Sequence, residues 1–113
     1  MEQPHPTYRE EDIDRVILRD FGAGAAAEAR SMLEVYGTEE WHREALRVRM
    51  ACLKLANGKI EELKKHIGIA CNDYRDVLAM GEYSEYMRAK NESQRKKAIA
   101  SDWAALQSWL NKK

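Results

Sequence analysis

A chain of 113 residues, 34% of them charged and 44% hydrophobic, has the size and balance of one globular domain, and this excludes a disordered or membrane-embedded chain as the starting expectation. Its 19 bases and 19 acids cancel, so binding driven mainly by phosphate contacts is not expected. The cancellation is uneven: before Thr38 eight acids face four bases, and from Glu82 onward seven bases face four acids, which leaves ends of opposite sign.

The start, MEQPHPTYREE, has neither a basic end nor an apolar run, and no segment approaches the roughly 20 apolar residues of a membrane span. A cytoplasmic address is the expectation. Pro4 and Pro6 are the only prolines, so residues 1–7 read as a tail and everything after Thr7 is free of the strongest helix breaker. Thr7 with Glu10 has capping-box spacing, and Ile13, Val16 and Ile17 follow at helical intervals. Gly22 and Gly24 punctuate. An alanine-rich helix then carries Ala25, Ala29, Met32, Leu33 and Tyr36 on one side, with Gly37 suited to the left-handed residue that closes it.

Thr38 is the expected cap of a third helix, whose stripe is Trp41, Ala45, Val48, Cys52 and Leu55. Asn57-Gly58 turns the chain. A fourth helix repeats the pattern through Ile60, Leu63, Ile67, Ala70 or Cys71, and Tyr74 to Val77 or Leu78, and Gly81 is its expected end. Two matched stripes across a tight turn predict an antiparallel helical hairpin. A short turn from Ser84 through Met87 follows, and Asn91 with Gln94 opens a last helix with the stripe Ile99, Trp103, Leu106, Leu110 and Trp109 beside it. The expected fold is therefore all-α: a single domain, residues 1–113, in which four to five helices form a bundle around that hairpin.

Chemistry-bearing residues gather between Cys71 and Met87. If the hairpin turns at Asn57-Gly58, His42 comes level with Asp73, and Trp41 with Tyr74. His42, Asp73, Tyr74, Arg75 and Asp76 are thus the candidate polar cluster. No serine or cysteine nucleophile joins them by spacing, and a partly exposed His42–Asp73 ion pair is the simpler expectation. Such a pair predicts a cost under about 1 kcal/mol for His42→Ala. Glu39 and His42 make one Glu-x-x-His, but a di-metal bundle site needs a second copy that the sequence lacks. No cofactor and no metal are expected. Arg95-Lys96-Lys97, with Arg88 and Lys90, is a local basic patch without interleaved aromatics, and reads as a solvated opening turn. Cys52 and Cys71 fall on or beside apolar stripes about eight residues out of level, too far apart for a disulfide, and are expected as reduced core thiols.

The run Asp73-Tyr74-Arg75-Asp76-Val77-Leu78-Ala79 with Glu82-Tyr83, preceded by Arg47-Val48-Arg49 and Leu53-Lys54-Leu55, resembles a family of small bacterial helical proteins with no assigned activity. The resemblance covers Trp41 to Leu110 and departs at Gly81 and Ser84, where the pattern has Ala and Pro. It implies an all-helical fold and a bacterial cytoplasmic setting, and it carries no functional residue. The functional expectation is a non-enzymatic protein-interaction or self-associating module whose partner is another protein or a second copy. Its motive is surplus apolar material at Leu46, Met50, Leu53 and Trp109. The alternative is a small enzyme or ligand-binding protein with a polar pocket near His42, Asp73 and Arg75.

Overall fold

A computed structural model describes residues 6–112, and among them the chain forms six helices and no strand: α1 (Glu10–Glu34), α2 (Ala45–Ala56), α3 (Ile60–Asn72), α4 (Tyr74–Glu82), α5 (Ser84–Arg88) and α6 (Glu92–Leu110). The fold is all-α. Of the segment 1–7 expected as a tail, residues 1–5 lie outside the described residues, while Pro6 is buried and Thr7 exposed.

α1 begins three residues after the expected cap. The backbone N–H of Arg9 donates to the Asp12 carboxylate at 2.9 Å, so Asp12 does the work expected of Thr7 and Glu10. Glu10, Glu11 and Asp12 together place negative charge in the first turn, where the helix dipole favours it. At Gly22 the backbone turns to φ 74°, ψ 169°, a conformation essentially confined to glycine, and α1 divides into two arms. The first arm buries Ile13, Val16 and Ile17, the second Ala29 and Leu33.

The helix expected from Thr38 does not form. Residues 38–44 are turn and loop, Thr38 Oγ1 donates back to the Val35 carbonyl, and α2 starts only after Glu44 in the left-handed region at φ 48°. A helix is held mainly by the apolar face it buries. The would-be first stripe residue, Trp41, is 52% exposed and offers none. The end of α1 is held instead from α2, where Arg49 Nε donates to the carbonyls of Leu33 (3.0 Å) and Tyr36 (2.9 Å). Gly37 is favoured there by its φ of 115°, and a Cβ would also displace the Arg49 guanidinium, whose Nη2 would lie 2.7 Å away.

Asn57 (φ 50°) and Gly58 (φ 78°) reverse the chain between α2 and α3, as their dipeptide predicts. The helix expected to run on from there is cut at Asp73 (φ −155°, ψ 101°), whose carboxylate accepts from the Arg75 backbone N–H and caps a new helix. α4 then packs on α2 through Gly81, where a Cβ would meet Ala51 Cβ at 3.1 Å. Gly81 therefore marks a close helix approach, and α4 stops at Glu82, one residue beyond the expected end. The break at Asp73 and the helical Ser84–Arg88 each add a helix, while the two expected before Gly37 are joined as α1, which gives six.

One core joins α1 to α4. Tyr36, Val48, Cys52, Leu53, Ala56, Leu63, Ala70 and Val77 have no exposed surface. Leu46 and Trp109 pack against that core and Met50 is buried in it, so the apparent surplus of the sequence is consumed inside the domain. α6 lies against α5 and α4, burying Ala98, Asp102 and Leu106.

Both cysteines are free. Burial pushes the Cys52 thiol from 9.0 up to about 12, and the Tyr36 phenol from 10.0 up to about 12. Burial also raises Tyr8 and Cys71. For acids whose folded pKa is raised, the stabilisation is present below the unfolded values and is lost as pH rises past them, because the unfolded chain gives up its protons first. The melting temperature is expected to stay level to about pH 8.5 and to fall steadily through about pH 11, with Cys52→Val making the fall shallower. Circular dichroism melts across that range check it; a flat profile would contradict the buried, protonated state of these groups.

Candidate functional site

The five residues of the polar cluster do not converge. Asp73 and Arg75 face each other: Arg75 Nε donates to Asp73 Oδ1 at 2.9 Å and Nη2 to Oδ2 at 3.0 Å, on the surface at the start of α4. The guanidinium and the Arg75 N–H hold the Asp73 carboxyl below its ordinary value. This is a reinforced helix cap. Asp76 is exposed, and Tyr74 is half-buried with its ring against the core. Among the described residues no hydrogen bond or ion pair joins His42 to Asp73 or Arg75. The expected level pairing fails because α2 stops short of His42, so the hairpin register does not extend to it.

His42 organises the loop between α1 and α2. Its Nδ1 accepts two backbone N–H groups, Gly37 at 2.9 Å and Glu39 at 3.2 Å, which assigns the ring proton to Nε2. The imidazole lies on the Tyr36 ring, centroids 4.4 Å apart and planes 25° apart. Tyr36 is itself fixed by donating its hydroxyl to the Arg43 carbonyl at 2.7 Å. Trp41 meets the imidazole edge-on, at 4.2 Å and 70°. The result is a three-ring cluster: a buried tyrosine, a histidine tied to the backbone and in contact with both other rings, and a half-exposed tryptophan.

The Glu-x-x-His spacing of Glu39 and His42 thus has a structural role, since Nδ1 is occupied by the loop. Among the described residues no group of three or more His, Cys, Asp or Glu side chains is arranged to hold a metal ion. The basic run at the start of α6 is exposed, and Arg95 pairs with Glu92 at 3.6 Å. A groove of about 400 Å³ between α5 and α6 is lined by residues of both signs, Glu85, Arg88 and Lys97 among them.

Three polar groups that sequence reasoning passed over are structurally central. Arg47 clasps Glu82, with Nε to both carboxylate oxygens at 2.9 and 3.0 Å and Nη2 to Oε1 at 2.6 Å. Asp102, 8% exposed, accepts the backbone N–H groups of Glu85 (3.1 Å) and Tyr86 (3.0 Å) and so fixes α5 on α6. Arg19 donates to the carbonyls of Trp109, Leu110 and Lys112, closing the end of α6, while its guanidinium sits 4.9 Å from the Trp109 ring. None of the three left a local trace: the stripe expected for the last helix was Ile99, Trp103, Leu106 and Leu110, whereas α6 buries Ala98, Asp102 and Leu106. No family model, no curated protein and no solved structure matches the chain significantly, so its fold and this loop are the ground on which a function is argued.

Proposed function

We propose that the chain is a non-enzymatic protein-interaction module, cytoplasmic in a bacterial cell, that contacts its partner through Trp41. The observation that carries this reading is the exposed indole on an immobilised base: Trp41 is 52% exposed, yet it stands on a histidine locked by two backbone N–H groups and by a fully buried tyrosine. Ordering a large aromatic in advance removes much of the entropy that binding otherwise costs, and tryptophan is among the residues that dominate interface energetics. The free thiols accord with a reducing compartment. No helix among the described residues is long and apolar enough to cross a membrane.

The ligand-binding alternative draws on Asp73 and Arg75, which here satisfy each other. One experiment separates the two readings. The immobilised chain, as wild type, as Trp41→Ala and as Asp73→Ala/Arg75→Ala, is exposed to a lysate of the source cells, and bound proteins and small molecules are identified. A protein retained by wild type and by the double variant but lost at least tenfold with Trp41→Ala is the expected result. Retention unaffected by Trp41→Ala, or a small molecule lost only with the double variant, would overturn it.

A further inference from the structure

We infer that Gly22 is a hinge at which α1 straightens, so that the first arm of one chain takes the place of the same arm in a second copy and an arm-exchanged dimer forms. Four observations lead there. Gly22 holds φ 74°, ψ 169° inside a helix whose other residues are helical, so it is the one residue at which α1 is bent. A Cβ on Gly22 or on Gly24 would meet nothing within 4 Å. Neither glycine is there to let another part of the chain approach; the freedom they supply is that of the backbone.

The residues after the bend, Ala23 and Ala25 to Ala27, are the strongest helix formers, and they offset the cost that Gly22 and Gly24 put on a continuous helix through residue 22. Straightened, the 25 residues of α1 form a rod about 37 Å long. The outer sides of the two arms are open to solvent. Between them lies a groove of about 360 Å³ lined by Ile17, Leu18, Ala26 and Ala27, with Leu18 56% exposed. The ion pair across it, Asp14 with Arg30, has both side chains substantially exposed.

The first arm is fastened by Ile13, Val16 and Ile17, in one core with the second arm, α2 and α3, and by Arg15 and Arg19 on the last carbonyls of α6. When arms are exchanged every one of these contacts is remade with the second copy. The closed monomer and the exchanged dimer then differ only in the hinge and in the concentration term of association. The bent form keeps the arm in its own chain; the straight form removes the glycine-only conformation and completes the helix.

Sedimentation velocity from about 5 to 500 µM tests this. Gly22→Ala penalises the bend and spares the rod, so it is expected to be dimeric at concentrations at least tenfold below those at which wild type associates. Inserting two glycines after Gly22 lets the arm close without strain and is expected to leave only monomer. Trp41→Ala lies beyond α1 and is expected to leave the dimer unchanged, so this proposal can fail while the Trp41 reading stands, and the reverse. A folded Gly22→Ala that stays monomeric at 500 µM overturns the hinge, as does a dimer abolished by Trp41→Ala. If Gly22→Ala does not fold, wild type refolded from urea at about 1 mM must yield a slowly dissociating dimer that the two added glycines abolish; monomer alone there overturns the proposal equally.

Discussion

Arg47→Ala is expected to lower the melting temperature by about 12–15 °C, the consequence of roughly 3–4 kcal/mol lost from a domain of this size. Glu82 has a side chain only 6% exposed, and the Arg47 guanidinium, itself 17% exposed, meets it with three hydrogen bonds of 2.6 to 3.0 Å. Truncation takes that guanidinium away and leaves a desolvated carboxylate near Tyr8. Removing one of the groups that compensate a buried charge costs far more than the intact pair contributes. The second partner of Arg47, Glu44, is half-exposed, so Glu44→Ala is expected to cost under about 1 kcal/mol. Arg47→Lys keeps the charge but not the fork, and falls between the two.

The double replacement Arg47→Met with Glu82→Leu separates two causes of the loss. If stranding of charge dominates, removing both partners recovers most of the stability, because two apolar side chains of similar size can occupy the same space without desolvation cost. If shape dominates, the double variant is as poor as Arg47→Ala. Thermal unfolding by circular dichroism decides it, and an Arg47→Ala shift below about 3 °C would mean that the pair is effectively solvated.

What could be read from the sequence follows the range of the interaction concerned. The hairpin was legible because Asn57-Gly58 is a local signal and because Val48 and Cys52 on one side match Leu63 and Ile67 on the other at helical spacing. The two arms of α1 were legible in Gly22 for the same reason. The break at Asp73 was not, since the apolar stripe resumes almost in phase after it: Ala70, Tyr74 and Val77 look continuous to any periodicity test. The capping chemistry of Asp73, visible in its short carboxylate, was the available clue. Arg47 and Glu82 are 35 positions apart and their pairing depends on how α4 lies on α2, which Gly81 against Ala51 determines. No local pattern carries that. The site was misjudged by one extrapolated helix: extending α2 back to Thr38 put His42 on a surface rail opposite Asp73, whereas a loop lets the ring turn back onto the end of α1.

That change of position reverses the expected effect of removing His42. As half of an exposed ion pair its loss would cost under about 1 kcal/mol; as the acceptor for Gly37 and Glu39 and the ring in contact with both Tyr36 and Trp41, it should cost about 2 kcal/mol when replaced by Ala. The acceptor and the ring contribute separately, and two further variants divide them. His42→Asn places a carbonyl oxygen close to where Nδ1 lies and is expected to recover about half of the loss, since both backbone N–H groups regain a partner. His42→Gln carries its oxygen one bond further out, past those N–H groups, and is expected to behave like Ala. Urea unfolding measures the stabilities, and the emission of Trp41, read in a background where Trp103 and Trp109 are phenylalanine, reports whether the indole has lost its base: a shift to longer wavelength with Ala and Gln, less with Asn. Should Ala and Asn be equally stable, within about 0.5 kcal/mol of wild type, the two N–H groups are satisfied by water and the loop needs no histidine to hold its tryptophan.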